Sequence, residues 1–390
     1  MSVYGIISEF NPFHNGHKYL IDTARARGAE AVVCVMSGNA VQRGECAVAD
    51  KYIRAEMALA GGADLVLELP YPWSAASAEF FAACGVNIAS AFADTIFFGS
   101  ELGDIDALSR AAEICSDEGF AAEYKEKLAG NAGTAGAYFD ILERRTGRKY
   151  SSNDILGIEY IKAARRQGSA IGFETLKRLG ASYNDGNIVE GERQSATAIR
   201  GLIYNGDTER LCEYMPSECA RILLGALERG ELTNTEKINQ AVRLFFRLHN
   251  PLDFVDIADI DEGIASRICS CASDSSEGEL IESLRTKRYT DARLRRAILF
   301  CMTGVKRSDI ATPPAYVNLL GANSVGRELL SRKRKESPIE VIAKQADIPL
   351  TPAANRQFEL SVRLDEIFSL SMGRSRNAAY LIRKSPVIKE

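Results

Sequence analysis

The feature that most constrains the fold of this 390-residue chain is the rhythm of its first hundred residues. Short, largely apolar runs alternate with stretches of helical periodicity. Val3–Ser8 is such a run, and helix-compatible His17–Arg27 follows it. Next come Ala31–Met36 (AVVCVM), a helical stretch around Ala49–Ala60 closed by Gly61-Gly62, and Asp64–Leu69 (DLVLEL). A helix over Ser77–Ala91 then leads to Thr95–Phe98 (TIFF) and Gly99-Ser100. Strands without an exposed face must be buried on both sides, and helices between them make them parallel. The pattern therefore predicts an α/β fold with a parallel sheet covered on both faces.

Helical patterns dominate from Asp104 to Arg166, with Ser152 or Asn153 as a candidate helix cap. Ser169–Glu174 (SAIGFE) reads as the last strand, and a polar, glycine-containing loop, Lys177–Gln194, follows it. SATAIRGLI then reads as a helix capped by Ser195. Beyond Asn205 the chain shows long amphipathic helices and one strand signal, at Ala315–Leu320. The expected organisation is an α/β domain over residues 1–205 and a mainly α-helical C-terminal domain over 206–390.

Composition excludes several classes. Hydrophobic residues make up 46 % and charged residues 26 %, as in ordinary globular proteins. No run approaches 18 apolar residues, and MSVYGIISEFNPF lacks a basic start and carries Glu9, so a cytoplasmic protein without membrane contact is expected. The nine cysteines are odd in number and none is paired at two-residue spacing. Cys269 and Cys271 are a single residue apart, so buried reduced thiols are expected rather than a metal site. Net charge is −4, yet residues 281–390 carry 21 basic against 11 acidic side chains, a net of +10, which leaves −14 for the first 280. Such asymmetry hints at a polyanionic partner for the basic part.

Two of the three histidines fall in one motif, His14-Asn15-Gly16-His17, at the turn from the first strand into the first helix. Backbone N–H groups at a helix N-terminus favour anions, Gly16 removes a side chain where a phosphate would approach, and two imidazoles add donors. Asn11-Pro12-Phe13 is a stiff turn that places His14 off the carboxyl end of the strand, where open α/β sheets bind ligands. Displacing pyrophosphate from ATP calls for charge stabilisation and in-line positioning. His14 and His17 are the candidates for that work. Downstream, Ser195 and Thr197 put hydroxyls on the first turn of a helix, and Arg200 can neutralise charge on pyrophosphate.

Several stretches carry a family resemblance. GIISEFNPFHNGHKYL, VMSGNAVQRGE, ADLVLELP, FFGSE, SSNDILGIEYIKA, LKRLGASYNDGNI, SATAIR, LRTKRYTDARLRRAIL and YVNLLGANSVGRELL resemble the bacterial tRNA(Met) cytidine acetate ligases over nearly the whole chain. The resemblance implies a Rossmann-like (HUP-type) nucleotidyltransferase domain at 1–205, with a basic helical tRNA-binding domain after it. It implies that ATP activates acetate as acetyl-adenylate. The acetyl group then passes to N4 of the wobble cytidine of elongator tRNA(Met). Carried over by motif, the ATP contacts are Ile7, Ser8, Glu9, Phe10, Asn11, Pro12, Phe13, His14, Asn15, Gly16, His17, Lys18, Tyr19 and Leu20, with Gly99, Asn153 and Arg178. Mg²⁺ is expected with ATP, without a dedicated ligand set, and no protein partner is implied.

This chain departs from the family pattern twice, with Asn184 where Tyr-His-Asp is usual and Phe10 where Tyr is common. Lys287-Arg288, Arg293, Arg295-Arg296 and Arg332–Lys335 are candidate phosphate contacts for RNA, and Tyr289 and Tyr316 candidate stacking partners. Two other readings compete: a small-molecule adenylyltransferase of the pantetheine-phosphate or nicotinate-nucleotide type, and a nucleotide- or RNA-binding protein without catalysis.

Overall fold

A computed structural model describes residues 1–129, 133–178, 195–234, 236–273, 280–286 and 289–390. The apolar runs form strands β1 (Val3–Ser8), β2 (Ala31–Ser37), β3 (Leu65–Leu69) and β4 (Thr95–Ser100), followed by the more exposed β5 (Gly172–Lys177). All neighbours among them are parallel, in the order β3-β2-β1-β4-β5. The order reverses beside β1, which opens a crevice at the carboxyl ends of β1 and β4.

Both faces are covered, because alternate residues of each strand belong to different layers. Val3, Ile7, Val33, Val35, Leu65 and Leu67 pack under α3 (Ala78–Phe92) and α4 (Ser152–Gln167). Tyr4, Ile6, Val32, Cys34, Met36 and Val66 face α1 (Asn15–Ala26), α2 (Lys51–Ala60) and α5 (Ala196–Asn205). Each buried aliphatic side chain contributes about 1.5–3 kcal/mol, so these two layers hold the frame on which the crevice is built.

The second half is mainly helical, as expected. Its helices include α6 (Glu236–Arg247), α7 (Glu262–Ser273), α8 (Asp291–Thr303), α9 (Ser324–Lys333) and α10 (Pro352–Ser371). Its boundary with the first half differs from the one placed at 205/206, because the sheet crosses it. Strand β6 (Val317–Ala322), two residues past the position read from sequence, pairs antiparallel with β3. β7 (Val341–Ile342) and β8 (Val387–Ile388) then pair parallel with β6. The physical reason is the open edge of β3: a buried strand needs a hydrogen-bonding partner on each side. The helical layer is also tied to the first half by Tyr71, whose hydroxyl lies 2.6 Å from Thr303 Oγ1, and by Trp73 Nε1, which donates to the Thr312 carbonyl at 2.9 Å.

Candidate functional site

Beyond β1 the backbone makes a tight passage into α1. Phe10 has φ +44°, a left-handed conformation uncommon for an aromatic residue, and the Asn11–Pro12 peptide is cis. The passage is pinned from below. The fully buried Arg54 of α2 donates to the carbonyls of Glu9 (2.7 Å), Ser37 (3.0 Å) and Ala49 (2.9 Å), and to that of Gly38. Asn11 Oδ1 accepts the Val48 N–H at 2.7 Å. Hydrogen bonds from a charged donor contribute about 1.5–3 kcal/mol each, enough to hold a strained turn.

His14 is the N-cap of α1. Its Nδ1 accepts the Gly16 N–H at 3.0 Å, while His17 Nδ1 accepts the His14 N–H at 3.2 Å, so the two imidazoles form a reciprocal capping box. The rings stack with centroids 3.7 Å apart, and Phe10 meets His17 edge-on at 4.8 Å. Gly16 has a steric reason beyond the one expected, since a Cβ there would lie 2.8 Å from His14 Cε1.

Because both Nδ1 atoms accept, a neutral imidazole at either position carries its proton on Nε2. Neutrality is the resting state. Burial, then the charges of Arg178 and Arg200, bring the His14 pKa down to about 3. Burial, then His14 and Arg178, hold His17 well below its usual range. The imidazoles therefore bring no positive charge of their own before an anion arrives. The two caps instead pass backbone N–H polarity through the rings to Nε2–H donors.

One cavity at the carboxyl ends of β1 and β4 gathers residues far apart in sequence. Ile7, Ser8, Glu9, Phe10, Asn11, His14, His17 and Leu20 border it, together with Gly99, Asn153, Arg178, Ser195, Thr197 and Arg200. Pro12, Phe13, Asn15, Gly16, Lys18 and Tyr19 do not border it. Phe13 is core packing beside His17, Asn15 Nδ2 donates to the Glu213 carbonyl at 3.1 Å, and Lys18 pairs with Asp22 on the outer face.

The remaining predicted side chains have visible anchors. Ser195 caps α5 by accepting the Ala198 N–H at 3.1 Å. Arg200 donates from Nη1 to the Asn11 carbonyl at 2.8 Å and from Nη2 to Thr197 Oγ1 at 3.3 Å, which ties α5 to the turn after β1. The cap of α4 is Ser151, in a box with Asp154, rather than Ser152 or Asn153. Asn153 is thereby free of capping duty and donates to Glu101 Oε1 at 2.6 Å. Arg178 Nε lies 3.4 Å from the same oxygen, and a side chain at Gly99 would crowd Arg178 Cγ at 3.1 Å.

Sequence reasoning did not single out Gln42 and Arg43, which reach the cavity from a hairpin pairing Ala40–Val41 with Glu45–Cys46. It also missed Phe81, Phe98, Leu156 and Tyr160 in the wall, Glu101 as the anchor of Asn153, and Arg54 as the brace. The motifs VMSGNAVQRGE and FFGSE contain four of these positions, and an unusual glycine-flanked polar stretch after a strand was the available signal. Glu9 stands with Arg43 and Arg200, yet burial outweighs them and raises its carboxyl pKa.

The basic patches come apart on inspection. Arg293 pairs with Asp261, Arg295 with Glu45 and Arg296 with Asp259. Tyr289 and Tyr316 are buried at 8 % and 2 % exposure, so neither is presented for stacking on a base. Arg332, Arg334 and Lys335, at the end of α9, are exposed. Asn184 and Lys287-Arg288 lie outside the described residues. Cys212 is exposed and Cys46, Cys269 and Cys271 are half-buried, so only five of the nine thiols are buried. No helix among the described residues is long and apolar enough to cross a membrane.

Residues 1–380 match the family model of the HIGH nucleotidyl transferases. A tRNA(Met) cytidine acetate ligase of Acetivibrio thermocellus is 37 % identical over 393 residues, covering 94 % of each chain. One from Clostridium perfringens is 34 % identical over 411 residues, covering all of both. The crystal structure of Thermotoga maritima TmcAL without ligand superposes with a TM-score of 0.91 at 32 % identity, covering 100 % of this chain and 99 % of that one. The same protein bound with alpha-thio ATP gives 0.88, with the same identity and coverage. The chain belongs to the tRNA(Met) cytidine acetate ligase family of HIGH nucleotidyl transferases.

Proposed function

We propose that this protein is an ATP-dependent ligase of the cytoplasm that activates acetate as acetyl-adenylate and acetylates N4 of the wobble cytidine of elongator tRNA(Met). The observation that carries the chemistry is the pair of stacked imidazoles that cap α1 and border one cavity with Arg200. A triphosphate in the cavity would have within it Nε2–H donors from His14 and His17 and guanidinium groups from Arg178 and Arg200. These groups are fixed by the fold before the nucleotide arrives, so little reorganisation opposes the reaction.

In the first step an acetate oxygen attacks the α-phosphorus as its bond to pyrophosphate breaks. Arg200, held by Asn11 and Thr197, offsets the charge that accumulates when two anions are brought together. Ser195 and Thr197 offer hydroxyls to the same phosphates, and Gly99 with Asn153 borders the space for ribose or base. In the second step the cytosine amine attacks the acyl carbon. The carbon–oxygen bond to AMP breaks, AMP departs with the electron pair, and the amine loses a proton. Among the described residues no three His, Cys, Asp or Glu side chains are grouped to hold a metal, so Mg²⁺ would be held by the phosphates of ATP. The exposed end of α9 is a suitable surface for tRNA phosphates.

Incubation with ATP, labelled acetate and methionine tRNA tests the reading. Label is expected at cytidine, with AMP and pyrophosphate released in equal amounts. Unlabelled RNA beside an active control enzyme refutes it.

A further inference from the structure

Thr197 and Arg200 border two cavities rather than one. The partition is made by the first turns of α5 and by the hairpin at 40–46. Gln42 and Arg43 face the nucleotide cavity, while Gly44, Glu45 and Cys46 face the second. The second cavity measures about 420 Å³, within the size range of small-molecule sites and far larger than acetate needs. Its walls are mostly apolar, with Val242 of α6 and Ile298 and Met302 of α8. Asn239 and Arg295 supply polar groups, and Arg295 Nη1 pairs with Glu45 Oε1 at 3.0 Å.

Gly201 sits in this wall, inside α5 and next to Arg200. Its φ is not positive, and a Cβ built on it meets no heavy atom within 4 Å. Glycine weakens a helix relative to alanine, and neither backbone conformation nor packing calls for it here. What the missing side chain preserves is open volume beside Arg200. One turn further on, Tyr204 presents an aromatic side chain that is 47 % exposed and borders the same space.

We propose that this cavity receives the pyrimidine ring of the RNA's reacting cytidine, turned out of its strand, so that its exocyclic amine meets the acyl-adenylate at Arg200. The proposal rests on the function given above. A base taken out of its stack needs apolar and aromatic surface to replace its neighbours and a few polar groups to read its edge. Tyr204 and Met302 supply the first, and Asn239 and Arg295 the second. The place is dictated by the reaction: the amine has to reach the carbonyl from a side the nucleotide does not fill, and the second cavity adjoins the first at Arg200.

The test uses the full chain with Gly201→Leu, a helix-compatible change that fills the cavity, and Gly201→Ala as a milder step. Acetate-dependent exchange of pyrophosphate into ATP should stay within twofold of wild type in both. Acetylation of tRNA, as kcat/KM, should fall at least a hundredfold in Gly201→Leu and less in Gly201→Ala. An anticodon stem-loop with 5-iodocytidine at the wobble position should photo-crosslink to Tyr204 or Met302 in wild type and lose that crosslink in Gly201→Leu. Wild-type acetylation by Gly201→Leu, a parallel fall in exchange, or a crosslink mapped elsewhere overturns the proposal. A wild-type chain that makes no acetyl-adenylate refutes the parent reading instead, and this one with it.

Discussion

The two capping histidines make a quantitative prediction about acid stability. In the native state His14 titrates at about 3, against 6.5 for an unperturbed imidazole. A native pKa below the unfolded one means that protons bind the unfolded chain preferentially as pH falls below 6.5, and stability is lost across the window from 6.5 down to about 3. At pH 5.5 about nine-tenths of unfolded-state imidazoles carry a proton, so moving from pH 7.5 to 5.5 costs on the order of 1 kcal/mol through His14 alone. His17, also held neutral by burial and by its neighbours, adds a loss of the same sign.

The variant that isolates this effect is His14→Asn with His17→Gln. Asn is a strong N-cap, and Gln at the third helical position completes a capping box, so the helix start keeps its hydrogen bonds and loses its titration. Urea unfolding of both proteins at pH 7.5 and 5.5 gives the comparison, in which the shared carboxylates largely cancel. Wild type should lose at least about 1 kcal/mol more than the variant over that interval. In a His249→Gln background only His14 and His17 remain, and their ring carbon resonances should not move between pH 7.5 and 5.5. Equal losses in the two proteins, or imidazole signals moving near pH 6.5, would refute the claim of neutral caps.

Two further outcomes follow from named contacts. Arg200→Lys cannot reach both the Asn11 carbonyl and Thr197 Oγ1 with a fork, so acetate-dependent pyrophosphate exchange should drop roughly 10²–10³-fold with a far smaller change in ATP affinity. An exchange rate within threefold of wild type would sink that role. Buried Lys51 bonds both oxygens of buried Glu68, at 2.9 and 2.8 Å. Lys51→Met should cost about 3–5 kcal/mol in urea unfolding, and Lys51→Met with Glu68→Leu should regain more than half of it. A double variant no more stable than the single one would contradict this account.

How much of this was legible in the sequence depends on the range of the interactions concerned. β1 and β2 coincide with their apolar runs because burial on both faces leaves no polar position to confuse the period. β5 was placed three residues early because it lies at a half-exposed edge of the sheet and carries no continuous run, and because Gly168 ends α4 just before it. β7 and β8 are two residues long and have no period to read. In the site, the HNGH turn was visible because its logic is local. That Arg200 grips the carbonyl of Asn11, 189 residues away, was not, since spacing along the chain does not report a contact across the sheet. Nor did spacing distinguish an arginine open to solvent from one paired inward, as the Arg293–Arg296 cluster shows.

The pairing of β6 with β3 bears on how the protein is made. A ribosome delivers residues 3–177, the strands that frame the crevice, well before it delivers 317–322. During that interval the nascent chain holds an apolar strand with one open hydrogen-bonding edge, a template for pairing with another nascent copy. Synthesis that stalls or stops anywhere between β5 and β6 therefore leaves a chain with its phosphate-binding turn in place and an adhesive edge exposed. Such fragments should be found in aggregates rather than as partly active enzyme.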